Sequence, residues 1–179
     1  MFDIYMRAVK DAIVQPFLVF VKRQTFSPNY ITALSGVLGL IGVAFSALDQ
    51  RYISFVFYVL GRIFDGLDGA YARLTNQSTD FGGYFDIIVD FTCYGMIPLG
   101  VTAAYPEYKA WVMLVYLEVT FFVNAAGLFF LSALIEKNAA AKKNYKDKKE
   151  VTTLKMPPAL IEGTESIILF GAIILFPEV

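Results

Sequence analysis

Residues 31–48 read ITALSGVLGLIGVAFSAL, a run without one charged side chain. Lipid offers no hydrogen bonds, so a chain immersed in it must satisfy its backbone within the segment, and an isolated strand cannot. The run is therefore a helix, and about 20 mostly apolar residues suffice to cross a bilayer. Four more runs of this kind follow, at 52 to about 72, 81 to about 104, 110 to about 134, and about 159 to 176. The pattern predicts an all-α integral membrane protein with five transmembrane helices and no large domain outside the bilayer. Composition agrees, because 57% of the 179 residues are hydrophobic and only 17% charged, more apolar than a soluble core of that size requires.

The N-terminal segment has a different character. Phe2, Tyr5, Val9, Ile13, Phe17 and Phe20 recur at helical spacing, with Asp3, Arg7, Lys10 and Asp11 between them. Residues 1–26 are expected to form an amphipathic helix on the membrane surface, bent or ended at Pro16. Those charges also interrupt any apolar core of a secretory signal. Residues 27–179 form the membrane domain, and its first helix opens with Ser27-Pro28, a hydroxyl cap followed by a proline whose missing N–H is harmless there.

Basic residues set the orientation. Arg7, Lys10, Lys22 and Arg23 precede the first span, and Lys137, Lys142, Lys143, Lys146, Lys148, Lys149 and Lys155 follow the fourth. The turn after the first span carries only Arg51, and that after the third only Lys109. The N-terminus and the turn between spans two and three are thus expected on the cytoplasmic side.

Several chemistries are excluded at once. The chain has no histidine, one cysteine (Cys93) and a net charge of −1. Imidazole bases, histidine-held zinc and an intrachain disulfide are ruled out, and nucleic acid is a poor partner. Acid–base work falls to carboxylates, lysine, tyrosine or the lone thiol.

Carboxylates are abundant where they are hardest to bury. Asp65 and Asp68 lie three apart in the second span, and Asp86 and Asp90 lie four apart in the third. Each pair shares a helix face, and Gly69, Gly82 and Gly83 permit the two helices to approach closely. Four converging carboxylates would repel one another, and a divalent cation relieves that. All-oxygen ligands favour Mg²⁺, Mn²⁺ or Ca²⁺ over zinc. Two such ions suit phosphoryl transfer, clamping the phosphate and the incoming oxygen.

The fixed positions are Asp65-x-x-Asp68-Gly69-x-x-Ala72-Arg73, then, after eight residues, Gly82-x-x-x-Asp86-x-x-x-Asp90. This pattern resembles the signature of the CDP-alcohol phosphotransferases, with every fixed residue and gap present. SPNYIT, residues 27–32, resembles the short Pro-Asn-x-x-Thr stretch that opens the family's first membrane helix. The resemblance covers roughly residues 20–170. It implies an integral membrane enzyme, usually a homodimer, that transfers a substituted phosphate from a CDP-linked donor to an alcohol and releases CMP. It further implies that Asp65, Asp68, Asp86 and Asp90 hold a pair of Mg²⁺ or Mn²⁺ ions, with Asp90 acting as base on the acceptor hydroxyl. Gly69, Ala72 and Gly82 would make room for cytidine, and Asn29, Thr32, Asp68 and Arg73 would contact the nucleotide or diphosphate. The family pattern has six spans, so with five this chain is expected to be short of its last helix.

Within that class the expected donor is CDP-diacylglycerol and the acceptor a small polar alcohol. The alternative is a CDP-linked polar head group with diacylglycerol as acceptor. A cation- or proton-coupled transporter would also carry intramembrane carboxylates, but would have no use for the glycine and arginine spacing. Arg62, Lys155, Glu162 and Thr164 are candidate acceptor contacts, although Arg62 is expected first to pair with an aspartate one turn away. Gly36, Gly39 and Gly42 read as a helix-packing stripe, Cys93 as a small core residue, and Asp80 as part of a helix cap with Thr79. Glu118, inside the fourth span, calls for a polar neighbour within the bundle.

Overall fold

The structure is a computed structural model that describes residues 26–142 and 163–177. Within those residues every regular element is a helix: α1 (Pro28–Ala47), α2 (Arg51–Leu74), α3 (Asp80–Ala104), α4 (Tyr108–Lys142) and α5 (Gly163–Leu175). All but the last residue of the amphipathic segment expected over residues 1–26, most of the lysine-rich loop, and Lys155 and Glu162 lie outside the described residues.

Local chemistry explains the boundaries. Ser27 caps α1, its hydroxyl accepting from the Asn29 N–H at 3.4 Å, and Pro28 occupies the first turn. Thr79 caps α3 by accepting from the Gly82 N–H at 3.0 Å, so Asp80 is the first helical residue rather than the cap, a place where a carboxylate suits the helix dipole. Asp49 and Asn76 adopt left-handed backbone, with φ of 57° and 55°, in the turns that end α1 and α2. Both are residue types whose short polar side chains tolerate that region.

Three helices are long and apolar enough to cross a membrane: Pro28–Ala47, Asp80–Ala104 and Tyr108–Lys137. The other two expected spans differ in kind. α2 has 24 residues, ample length for a crossing, but its second half carries Arg62, Asp65, Asp68 and Arg73. α5 has 13 described residues, about 20 Å at 1.5 Å per residue, and the expected start of this span near residue 159 lies outside the described residues. α4 runs past the expected end near residue 134, because the EKNAAAK stretch that closes it is rich in strong helix formers.

α1 is the centre of the bundle, packed against α2 on one side and α3 on the other. The small-residue stripe makes this possible. A Cβ at Gly61 would stand 3.2 Å from the Ser35 carbonyl oxygen, and one at Gly100 only 2.8 Å from that of Val43. Gly36 and Gly39 admit Val89 and Cys93 of α3, whereas Gly42 lies against Ser54 and Tyr58 of α2. Cys93 is buried. An apolar cluster of Val43, Tyr58, Tyr94, Ile97, Val101, Phe170 and Ile174 closes the end of the bundle away from the α2–α3 turn. There the Tyr58 hydroxyl donates to the Ile167 carbonyl at 3.0 Å, and Phe170 stacks on Tyr94, fastening α5 to α2 and α3. α4 touches the bundle chiefly through α3, with Phe121 and Phe129 against Phe91, and leaves Met113, Tyr116, Phe122 and Phe130 exposed. Such a surface suits lipid.

Candidate active site

The N-terminus of α1, the C-terminus of α2 and the N-terminus of α3 meet at one end of the bundle. Between them opens a cavity of about 590 Å³. Asn29 and Thr32 of α1, Asp68, Gly69, Ala72 and Arg73 of α2, and Gly82 and Asp86 of α3 all line it. The seven residues expected on the donor side therefore share one cavity, although 53 positions separate the first from the last (82 − 29). The register is set by the glycine contacts of α1, which fix how far α2 and α3 slide along it.

The small residues shape the cavity wall. A Cβ at Gly82 would lie 3.1 Å from the Thr79 hydroxyl and 3.3 Å from the Asn29 side-chain oxygen. One at Gly69 would lie 3.2 Å from an Arg73 guanidinium nitrogen. A side chain at either position would press on polar groups that line the space.

Asp68 is only 5% exposed and is anchored twice. The Thr32 hydroxyl donates to one carboxylate oxygen and the Gly69 N–H to the other. Deeper in the bundle a second charged group forms around Arg62, itself 7% exposed. Its Nη1 donates to Asp90, lies 3.7 Å from Asp65, and reaches the Tyr94 hydroxyl at 3.3 Å. The guanidinium carbon lies 5.1 Å from the centroid of the Tyr94 ring. Asp86 faces Asp68 and Asp90 electrostatically, so the four aspartates form one field.

They do not form a ready metal cage. Among the described residues no three acidic, histidine or cysteine side chains are placed to hold one ion together. Arg62 holds Asp90, while Thr32 and the Gly69 N–H hold Asp68. Two buried carboxylate oxygens are nevertheless without a hydrogen-bond partner, Oδ1 of Asp65 on α2 and Oδ1 of Asp86 on α3. Buried polar atoms are rarely left so, and a divalent cation supplies what both lack. On this observation the aspartates fit a hard cation.

Among the other expectations, Arg62 does pair with Asp65 at i+3, but its hydrogen bond goes to Asp90 across the helix interface. It does not line the cavity. Thr164 lies in the first turn of α5, and Lys155 and Glu162 lie outside the described residues. Glu118 of α4 packs against Gly95 of α3, its Oε2 3.6 Å from where a Cβ would stand. Sequence reasoning did not anticipate Gln77, Ser78, Tyr84 and Ile87 in the cavity wall. Their one signal was position, inside or just past the gap of the spaced pattern.

Comparison with known proteins agrees with the geometry. The family model for CDP-alcohol phosphatidyltransferase matches residues 25–177. The inner membrane protein YnjF of Escherichia coli (strain K12) is 33% identical over 155 residues, 84% of this chain and 70% of that protein. A CDP-diacylglycerol–serine O-phosphatidyltransferase of Helicobacter pylori (strain J99) is 37% identical over 82 residues, 46% of this chain and 35% of that enzyme. A CDP-diacylglycerol–inositol 3-phosphatidyltransferase of Drosophila melanogaster is 36% identical over 122 residues, 66% of this chain and 51% of the enzyme. The match thus spans about a third to a half of those two enzymes. With the family model running from before α1 to beyond α5, the chain belongs to the CDP-alcohol phosphatidyltransferases, a family of membrane transferases that make phospholipids.

Proposed function

We propose that the protein transfers a phosphatidyl group from CDP-diacylglycerol to a small polar alcohol, releasing CMP. The observation that carries this reading is the single cavity lined by all seven expected donor contacts beside the four aspartates. Asn29, Thr32 and Arg73 offer an amide, a hydroxyl and a cation to a nucleotide diphosphate, and Gly69, Ala72 and Gly82 leave room for cytidine. The two curated enzymes named above use CDP-diacylglycerol by name, one with serine and one with inositol.

In the proposed reaction Asp90 takes the proton of the acceptor hydroxyl. The acceptor oxygen forms a bond to the lipid-bearing phosphorus, and the bond from that phosphorus to the CMP oxygen breaks, CMP leaving with the electron pair. Asp65, Asp68, Asp86 and Asp90 would hold Mg²⁺ or Mn²⁺, and bound divalent cations neutralise the diphosphate and polarise its phosphoryl oxygens. The chain's own contribution is placement. Thr32 fixes Asp68, and α2 and α3, which carry the four aspartates, are registered by α1.

The site is assigned to the cytoplasmic face by the lysine and arginine distribution, where a soluble acceptor and released CMP can exchange. A homodimer is expected from the family, and the exposed apolar side of α4 offers surface for a second copy or for lipid. Purified protein in detergent, given CDP-diacylglycerol and a panel of labelled alcohols with Mg²⁺ or Mn²⁺, should release CMP with one alcohol and yield the matching phospholipid. CMP release from a CDP-linked head group with diacylglycerol, and none from CDP-diacylglycerol, would reverse the assignment of donor and acceptor.

A further inference from the structure

Among the described residues, Arg62 is the one buried cation facing the aspartates from within the bundle, and its arrangement bears on metal loading. Among the described residues, Asp65, Asp68, Asp86, Asp90, Tyr58, Cys93 and Tyr94 are titratable groups gathered around it. Its Nη1 takes Asp90, 28 residues away on α3, as its hydrogen-bond partner. Asp65 and the Tyr94 hydroxyl complete the surroundings of the same nitrogen. The other terminal nitrogen, Nη2, is buried without a hydrogen-bond partner, so the guanidinium is aimed by the carboxylates and not by its remaining donors.

We propose that Arg62 is a positioning residue that serves as the internal counter-charge of the four aspartates, holding Asp90 until a divalent cation displaces it. This rests on the reading that the four aspartates hold the metal. Three observations support it. No three carboxylates converge on a point among the described residues. The carboxylate most firmly held by Arg62 is the one assigned as both base and ligand. The oxygens left without partners belong instead to Asp65 and Asp86, the pair already free to receive an ion. Four neighbouring carboxylates without any cation would repel strongly in so dry a place, and Arg62 keeps a single positive charge there permanently, since a guanidinium does not deprotonate. The inferred order is that Asp65 and Asp86 engage the cation first and Asp90 joins by leaving Arg62.

The two roles, competitor for Asp90 or mere structural brace, predict opposite effects of removing the charge. Mn²⁺ binding without substrate, read from free Mn²⁺ by electron paramagnetic resonance, separates them. Arg62→Met removes the competitor, so Mn²⁺ should bind about tenfold tighter or more, as expected for deleting a nearby unit charge in a low-dielectric site. The metal-free protein should melt lower, and the melting shift on adding Mn²⁺ should grow. Arg62→Lys, which keeps the charge, should stay within about threefold of the unaltered protein, a difference small beside a tenfold step. In an Asp90→Asn background the effect of Arg62→Met should shrink to about threefold or less, because the two residues act on each other. Arg62→Gln is read in the same way should methionine prevent folding. Mn²⁺ binding that is unchanged or weaker in the uncharged variants overturns the inference and leaves the metal reading standing. An absence of Mn²⁺ binding in the unaltered protein removes the metal reading itself, and this inference with it.

Discussion

At the scale of single residues, the aspartates are not equivalent, and substitutions should separate their tasks. Asp90→Asn preserves shape and one oxygen but removes the proposed base, so kcat should drop by roughly 10² or more. The affinity for the CDP donor should change far less. Asp68 lines the cavity and is held by Thr32 and the Gly69 N–H. Asp68→Ala and Asp65→Ala should weaken metal and nucleotide binding together, seen as a raised requirement for Mg²⁺ and a raised KM for the donor. Chelating divalent ions should abolish CMP release, with Mg²⁺ or Mn²⁺ restoring it. Near-normal turnover of Asp90→Asn at saturating metal would show that Asp90 is at most a ligand. The spacing of these residues was legible in the sequence, because helix periodicity alone puts Asp65 with Asp68 and Asp86 with Asp90. The partner of Arg62 was not. Periodicity offers Asp65 at i+3, whereas the hydrogen bond goes to Asp90, and only the docking of α2 and α3 on α1 decides that.

At the scale of helices, the stability of the site comes from close backbone approach, and glycines divide into those that need to be glycine and those that do not. A Cβ at Gly100 would meet the Val43 carbonyl oxygen at 2.8 Å, a backbone atom that cannot swing aside. Gly100→Ala should therefore push α3 from α1 and cost about 1–3 kcal/mol, the usual range for overpacking, read as a lower melting temperature in detergent. Gly66 sits on the exposed face of α2 with nothing within 4 Å of a Cβ. Gly66→Ala should leave melting and turnover unchanged or slightly improved, since alanine is the better helix former. Equal losses at both positions would mean that helix flexibility, not contact, is what these glycines supply. The stripe Gly36, Gly39, Gly42 was readable as packing from its spacing. Which neighbour each glycine admits was not, because three successive small residues wind around the helix and meet α3 twice and α2 once. The end of α4 escaped for another reason: hydropathy sees the lipid-facing stretch, and helix propensity carries α4 on through polar residues to Lys142.

At the scale of the molecule, the two ends of the bundle are chemically unlike. One holds the cavity and the α2–α3 turn. At the other, the Tyr105 hydroxyl donates to Asp49 and accepts from Arg51 at 2.9 Å, tying the α1–α2 turn to the end of α3. The Asp49 carboxylate that accepts the phenol proton raises the pKa of Tyr105, so this tie keeps its proton. Neither end is labelled inside or outside by packing, and the orientation rests on the basic residues, seven of which lie between positions 137 and 155. Lysines and arginines near span ends resist translocation, so the richer side stays cytoplasmic. The cavity end coincides with the N-terminus of α1, which follows Arg7, Lys10, Lys22 and Arg23, so in the proposed orientation the cavity faces the cytoplasm. Labelling in intact cells tests this with little background, since Cys93 is buried and is the only native cysteine. A cysteine introduced between residues 143 and 149 should react only with reagent that has entered the cell. One introduced at Pro106, in the α3–α4 turn, should react with impermeant reagent from outside. The reverse pattern would turn the molecule over and put the cavity on the face where cytoplasmic alcohols and released CMP could not exchange with it.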